Sequence, residues 1–151
     1  MTSSVTAARS SIRSGVIPEH WPSRAWHRLA VDAIRRHLEQ REVSEAVIEG
    51  GLNGLVSNWE ELASTVEAGV ARWMWEEWLN DLDGREIIQD LLDQVPESRT
   101  ALAAVGRADE RFAASTIPTD RCVWGDGTAS RHGWTREKNW WYWRDPPTPY
   151  E

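Results

Sequence analysis

Tryptophan dominates the large apolar side chains of this protein: eleven of its 151 residues are Trp, against one Phe and two Tyr. An indole ring offers a large apolar area, but its N–H group needs a hydrogen-bond partner when the ring is buried. This side chain therefore suits the edge of a core or a binding surface better than a dry interior. The eleven form three groups: Trp21, Trp26 and Trp59; Trp73, Trp75 and Trp78; and Trp124, Trp134, Trp140, Trp141 and Trp143.

The length and the cysteine content bound the organisation of the chain. A length of 151 residues fits one domain, and the lone Cys122 excludes an intramolecular disulfide, which is consistent with the cytoplasm. No stretch approaches the roughly 18 apolar residues that span a bilayer, so we expect no membrane association. We expect a disordered arm over residues 1–15 and one domain over 16–151, with a helical part at about 22–116, a Trp-rich lid at about 117–145 and an extended tail at 146–151.

Helical periodicity marks the first third of the chain. Apolar residues such as Trp26, Ala30 and Ile34 recur at helical spacing after Ser23 and predict a helix over 23–40. A second helix is predicted at about 42–49. A loop or a close helix crossing should follow it, because three glycines within five residues are unfavourable inside a helix. These glycines are Gly50, Gly51 and Gly54.

Two capping patterns predict helix starts in the middle of the chain. The segment Ser57-Asn58-Trp59-Glu60 has the spacing of a capping box, and the helix it opens could continue through Gly69 as far as Leu82. Asp83 is followed by an acidic residue in the first turn and then by apolar residues at regular helical spacing. It therefore predicts the start of a short separate helix that Pro96 ends.

The last third changes character. A further helix is predicted from about 96 to a point before Pro118, and after Ile117 glycine and proline replace the helical pattern. Aromatic residues favour strands, so we expect a hairpin that pairs 121–125 with 139–144. The predicted fold is mainly α, an irregular bundle of about five helices with a C-terminal Trp-rich, partly β segment packed over it.

The acidic charge is confined to one stretch. The net charge is −7, and residues 57–96 alone hold two Arg against ten Asp and Glu, whereas the flanking parts are close to neutral. Such a stretch repels the phosphates of double-stranded nucleic acid and attracts a basic protein partner. The alternative is a solvated helix face that serves only to keep the protein soluble.

The densest part of this stretch is Trp73-Met74-Trp75-Glu76-Glu77-Trp78. On one helix, Trp75 and Trp78 can share a face that Trp73 cannot share. Either the C-terminal segment covers this second apolar line, or the line is an exposed interface whose flanking carboxylates select a basic partner. The candidate interaction residues are Trp75, Glu76, Glu77, Trp78, Asp81, Glu86, Asp90 and Asp93.

The late tryptophans allow a second interpretation. Flat indoles stack on sugars and nucleobases, so these rings could form a ligand platform, or they could form the lid of the core. Surplus indoles could also be buried between copies of a homo-oligomer. The candidate stacking residues are Trp134, Trp140, Trp141 and Trp143.

The sequence contains no recognisable catalytic, metal-binding or cofactor-binding pattern. No two of its four His residues stand at the spacing of a helical metal site, no phosphate-binding glycine loop occurs, and Cys122 is expected to be a buried thiol. We therefore predict no catalytic residue, metal or cofactor. The leading hypothesis is a non-enzymatic acidic interaction domain with an inhibitor, immunity-type or adaptor role; the alternative is a sugar- or nucleotide-binding or enzymatic domain.

Overall fold

The computed structural model describes residues 23–69 and 72–150, where it contains five α-helices, two 3-10 helices and two short strands. The mainly α fold with a small antiparallel strand pair near the C-terminus is confirmed. The predicted arm 1–15, residues 16–22 with Trp21, residues 70 and 71 and the last residue lie outside the described residues. The elements are α1 (Ser23–Gln40), α2 (Glu45–Ala68), α3 (Trp75–Gln94), a 3-10 helix (Pro96–Ala101), α4 (Leu102–Ser115), β1 (Ile117–Pro118), α5 (Asp126–His132), a second 3-10 helix (Trp140–Trp143) and β2 (Arg144–Asp145).

The described residues divide into two compact units. The first unit comprises 23–55 and 88–102, and the second comprises 56–69, 72–87 and 103–150. Helices α2 and α3 contribute residues to both units.

The core of the first unit forms around α1, whose predicted bounds are confirmed. The apolar face of α1 is buried and packs against the 3-10 helix that follows α3. Ser98 of this 3-10 helix is fully buried, and its hydroxyl donates to the carbonyls of Leu91 and Val95, at 2.7 and 2.6 Å. Leu91 lies in the last turn of α3 and Val95 directly follows this helix. The two carbonyls also accept the backbone N–H groups of Val95 and Ser98, at 2.8 and 2.9 Å, so the hydroxyl is an additional donor at the end of α3. The buried apolar residues are Ala30, Ile34, Leu38, Leu52, Leu55, Ile88, Leu91, Leu92 and Val95.

A kink at Gly51 replaces the predicted loop in α2. Gly51 has φ 61° and ψ −157°, a conformation that residues with a Cβ rarely adopt, and the helix resumes directly after it. The predicted helix start at Ser57 is therefore wrong. The helix already continues through Leu55 and Val56, which are buried, whereas Ser57 lies on the exposed side.

The boundary between α2 and α3 also differs from the prediction. Gly69 has φ 70° and ends α2 in a left-handed cap, so the predicted continuation to Leu82 is wrong. Conversely, α3 runs without interruption through Asp83 and Gly84, so the predicted helix start at Asp83 is wrong as well. The Asp83 carboxylate accepts hydrogen bonds from the Trp124 indole (2.9 Å) and the Tyr142 hydroxyl (2.7 Å) instead of capping a helix.

The Trp-rich segment contains less β-structure than its composition suggests. Strand β1 pairs with β2, so that Ile117 faces Asp145 and Pro118 faces Arg144, and the predicted pairing of 121–125 with 139–144 is wrong. The two predicted segments do lie side by side, because the Val123 N–H donates to the carbonyl of Tyr142 at 2.8 Å. However, α5 begins after Gly125 and the aromatic run is a 3-10 helix, so no strand ladder forms.

A buried ion pair stands at the centre of the second unit. Arg85 is only 4% exposed, and its guanidinium donates two hydrogen bonds of 2.8 Å to the two oxygens of Asp109. The Trp59 indole donates to the same carboxylate at 2.8 Å. The guanidinium carbon lies 4.4 Å from the ring centroid of Trp141 and 6.0 Å from that of Trp59. Residues of α2, α3, α4 and the Trp-rich segment thus meet around one cation.

Trp78 joins the Trp-rich segment to the helices of the second unit. Its ring is fully buried, stacks on Phe112 at a centroid distance of 5.7 Å and meets the edge of Trp73 at 5.2 Å. Its indole N–H donates to the carbonyl of Arg144 at 3.0 Å. The predicted packing of the C-terminal segment over helices is therefore confirmed within this unit.

We predict that Gly51→Ala lowers the free energy of unfolding by about 1–3 kcal/mol, because alanine is strained at this φ and ψ. No atom crowds a Cβ at this position, so strain alone accounts for the loss. The control is Gly54→Ala in the same helix, also uncrowded, which should be neutral or stabilise by up to about 1 kcal/mol. Urea titration measures both variants, and equal effects would contradict the kinked conformation.

We predict that Arg85→Met lowers the free energy of unfolding by about 3 kcal/mol, because it leaves the Asp109 carboxylate without its cation. The double variant Arg85→Met/Asp109→Asn removes that charge and keeps an acceptor for the Trp59 indole. It should therefore be more stable than Arg85→Met alone. Thermal and urea unfolding measure the difference, and a double variant less stable than the single one would argue against the ion pair.

Candidate functional site

The first turn of α3 presents an aromatic ring and two carboxylates at the surface. Trp75 is 41% exposed, although it begins the helix that carries the buried Trp78. Its ring meets the edge of Tyr150 at a centroid distance of 5.1 Å. Glu76 and Glu77 follow directly and are exposed. Trp75, Glu76 and Glu77 are among the candidate interaction residues, whereas nothing in the sequence indicated that Tyr150 would join this surface.

An open groove lies beside Trp75, which we call the Trp75 groove. Its volume is about 620 Å³, and it belongs entirely to the second unit. The groove combines two aromatic rings, three carboxylates and one guanidinium. It is lined by Trp75, Thr119, Asp120, Arg121, Cys122, Val123, Gly125, Asp126, Asp145 and Tyr150.

The carboxylates of the Trp75 groove have weak or neutral partners. Asp145 accepts from the Tyr150 hydroxyl at 3.0 Å, and Asp126 accepts from the backbone N–H of Cys122 at 3.3 Å. Asp120 is 99% exposed and lies 3.9 Å from a guanidinium nitrogen of Arg136. Burial and the Asp145 carboxylate raise the pKa of Tyr150. The three carboxylates of the groove outnumber its one guanidinium, Arg121, so the groove carries an excess of negative charge, contributed by residues that are not among the candidate interaction residues.

A second group of carboxylates surrounds Asp81 on α3. Partial desolvation of its carboxyl group, together with the charges of Glu77 and Glu61, raises the pKa of Asp81 to about 6. Asp81 remains exposed as a residue, so solvent weakens this repulsion without removing it. We call Glu61, Glu77 and Asp81 the Asp81 cluster.

The remaining predicted interaction residues are placed differently. Trp78 is buried, as described above, and Glu86 is half-buried. Asp90 and Asp93 belong to the first unit, where Asp93 is exposed and accepts from the side-chain amide of Gln89 at 2.9 Å. Trp75, Glu76, Glu77 and Asp81 therefore lie exposed at one end of α3. Trp78 lies at the same end but is buried, and Glu86, Asp90 and Asp93 lie farther along the helix.

Asp90 forms part of an ionic contact within the first unit. Its carboxylate lies 2.6 Å from Nε2 of His37 and 2.8 Å from a guanidinium nitrogen of Arg41. Burial opposes ionisation, but the hydrogen bonds from His37 and Arg41 outweigh it and lower the pKa of Asp90. This carboxylate therefore serves the packing of α1 on α3.

The four predicted stacking residues are mostly occupied by neighbouring rings. Trp141 and Trp143 are buried, and Trp134 and Trp140 are half-buried. The Trp134 ring stacks on His132 at 4.4 Å and on Tyr142 at 4.3 Å. These contacts favour the interpretation of the late tryptophans as a lid of the core.

The site contains no arrangement that favours catalysis by Cys122. This residue is a buried thiol, as predicted, and burial together with the charges of Asp126 and Asp83 raises its pKa, which disfavours the nucleophilic thiolate. Within residues 23–69 and 72–150, no three His, Cys, Asp or Glu side chains stand close enough to hold a metal ion. Among the described helices, none has the length and apolar character needed to cross a membrane.

Comparison with known proteins adds no family to this description: no protein-family model, curated protein or solved structure matches the chain.

We predict that Asp81→Asn stabilises the protein near neutral pH and that the gain shrinks in acid. The folded state binds the Asp81 proton more tightly than the unfolded chain, with a pKa of about 6 against 3.8, so ionisation lowers stability as the pH rises between these values. The melting temperature of the variant should exceed that of the wild type by roughly 1–3 °C at pH 7.5 and by less at pH 4.5.

Asp120→Asn is the matched control for this prediction, because that carboxylate is almost fully exposed. Its effect on the melting temperature should change little between pH 4.5 and 7.5. A pH-independent effect of Asp81→Asn would show that the Asp81 cluster does not repel as described.

Proposed function

We propose that this protein is a non-enzymatic acidic interaction domain that binds a basic protein through the first turn of α3 and the Trp75 groove. The observation that carries this proposal is a half-exposed Trp75 that lines a groove rich in carboxylates and begins the helix that carries Glu77 and Asp81 of the Asp81 cluster. An inhibitor, immunity-type or adaptor role in the cytoplasm fits such a surface.

The Asp81 cluster supports the proposal because it is unfavourable for folding. Burial, together with the charges of Glu77 and Glu61, raises the pKa of Asp81, so its ionised form is unfavourable in the folded protein. Perturbed titratable groups of this kind are concentrated at functional sites, although packing can also produce them. A partner that brings Lys or Arg side chains to Glu77 and Asp81 would relieve this repulsion and would associate faster by electrostatic steering.

The Trp75 groove supplies the short-range part of the interaction. Exposed Trp and Tyr rings at the centre of an interface contribute much of its binding energy, and their faces attract the cationic groups of Arg and Lys. Asp126 and Asp145 stand beside these rings and can accept hydrogen bonds from a guanidinium or an ammonium.

The test compares two triple variants with the same change in net charge. The site variant is Glu76→Gln/Glu77→Gln/Asp81→Asn, and the control is Glu45→Gln/Glu110→Gln/Glu137→Gln, which changes exposed residues outside this surface. Immobilised wild-type and control proteins should retain the same basic protein from native lysate at low salt, and the site variant should lose it.

Kinetics with the captured protein then separate the two contributions. The site variant should slow association about tenfold at low salt and flatten its salt dependence. Trp75→Ala should mainly speed dissociation, by about tenfold or more. Equal losses in the site and control variants, or retention of no basic protein, would overturn the proposal.

A further inference from the structure

Two aromatic rings meet nearly at right angles in the Trp75 groove. The planes of Trp75 and Tyr150 lie at 80° to each other, with their centroids 5.1 Å apart. We call this pair the aromatic corner. Trp75 is 41% exposed and Tyr150 is half-buried, so both rings can be reached from solvent. A cation in such a corner lies against aromatic carbon on two sides.

Carboxylates accompany the aromatic corner. Asp145 accepts the Tyr150 hydroxyl on Oδ1 at 3.0 Å, which fixes the carboxylate beside that ring. Asp126 lines the same groove and accepts the backbone N–H of Cys122 on Oδ1 at 3.3 Å. The second oxygen of each carboxylate accepts no hydrogen bond from the described residues. Both carboxylates can therefore accept from a donor that enters the groove.

The guanidinium of the groove itself does not neutralise these two carboxylates. Arg121 lines the groove and is exposed. Among the described residues it forms no ion pair with Asp126 or Asp145 and does not lie over an aromatic ring. A cation from outside would thus meet carboxylates that no cation of the described chain already holds.

The interior of the second unit shows which cation a combination of indole and carboxylate accommodates. The guanidinium carbon of Arg85 lies 4.4 Å from the Trp141 ring centroid, while its nitrogens donate two hydrogen bonds of 2.8 Å to Asp109. A planar guanidinium stacks with its face and donates in its own plane at the same time. An ammonium group is more strongly hydrated and has no flat face to stack. The same two kinds of group in the Trp75 groove therefore favour arginine over lysine.

We propose that the Trp75 groove binds an arginine side chain of the protein partner. The guanidinium lies in the aromatic corner and donates to Asp145 and Asp126. This assignment of arginine rests on the proposed function, because it names the side chain with which the basic partner enters the groove.

The test uses N-acetyl-arginine methylamide as the probe. The citrulline analogue has nearly the same shape without the charge, and the lysine analogue keeps the charge as an ammonium. Spectra of the full ¹⁵N-labelled chain at constant ionic strength report the Trp75 indole N–H, which Trp75→Phe identifies, and the backbone N–H of Asp145. The arginine probe should shift both signals with a dissociation constant of about 10 mM or tighter. The lysine analogue should bind at least about threefold more weakly, and the citrulline analogue should leave both signals in place.

Matched variants locate the guanidinium. Asp145→Asn should weaken binding of the arginine probe at least about fivefold, because the amide still accepts from Tyr150 but lacks the charge. Asp32→Asn removes one charge from an exposed residue of the first unit and should leave the binding unchanged. The amide spectrum shows whether each variant is folded. If Asp145→Asn is not, Asp126→Asn, at an exposed position, takes its place with the same expected loss.

The assignment of arginine is wrong if about 50 mM of the arginine probe shifts neither signal. Equal binding of the lysine or the citrulline analogue, or undiminished binding by the folded groove variant, would also overturn it. Capture of the basic protein tests the proposed function separately. Continued capture without probe binding would overturn only the assignment of arginine, whereas probe binding without capture would overturn only the proposed function.

Discussion

The guanidinium of Arg85, held between two indole rings and one carboxylate, is the interaction on which the second unit depends. It links α2 through Trp59, α4 through Asp109 and the Trp-rich segment through Trp141. A buried cation is tolerable only when it is paired and its remaining faces are covered. The same geometry satisfies the Trp59 indole N–H, so that charge pairing and aromatic packing reinforce each other.

Two carboxylates act as acceptors for indole N–H groups: Asp109 for the buried Trp59 and Asp83 for Trp124, which is exposed. Part of the acidity therefore serves packing. Among the described residues, no indole donates to the carboxylates of the Asp81 cluster or of the Trp75 groove. This contrast, more than the net charge, supports the proposed interaction surface over a face that only keeps the protein soluble.

Sequence periodicity predicted the elements that local pattern controls and failed where distant residues decide. Helix α1 and the mainly α class were correct because the apolar spacing of α1 agrees with its burial. Ser57 and Asp83 have the residue types of helix caps, but packing keeps both inside continuous helices. For the site, Trp75 and its two neighbouring Glu residues could be nominated from composition. Tyr150 and Asp145 could not be nominated in this way. They lie beside Trp75 only because the C-terminal part of the chain packs back, where Tyr150 forms a β-bridge with Trp73.

The position of Trp141 in the chain has a consequence for synthesis on the ribosome. Trp59, Arg85 and Asp109 all emerge before the ring that covers their cluster. Until Trp141 follows, the guanidinium is open to water on that side and the indoles of Trp59 and Trp78 lack part of their cover. Before Trp141 is synthesised, the nascent second unit thus exposes the aromatic surface that this ring later covers. Chaperones that recognise aromatic segments would bind the chain at that stage.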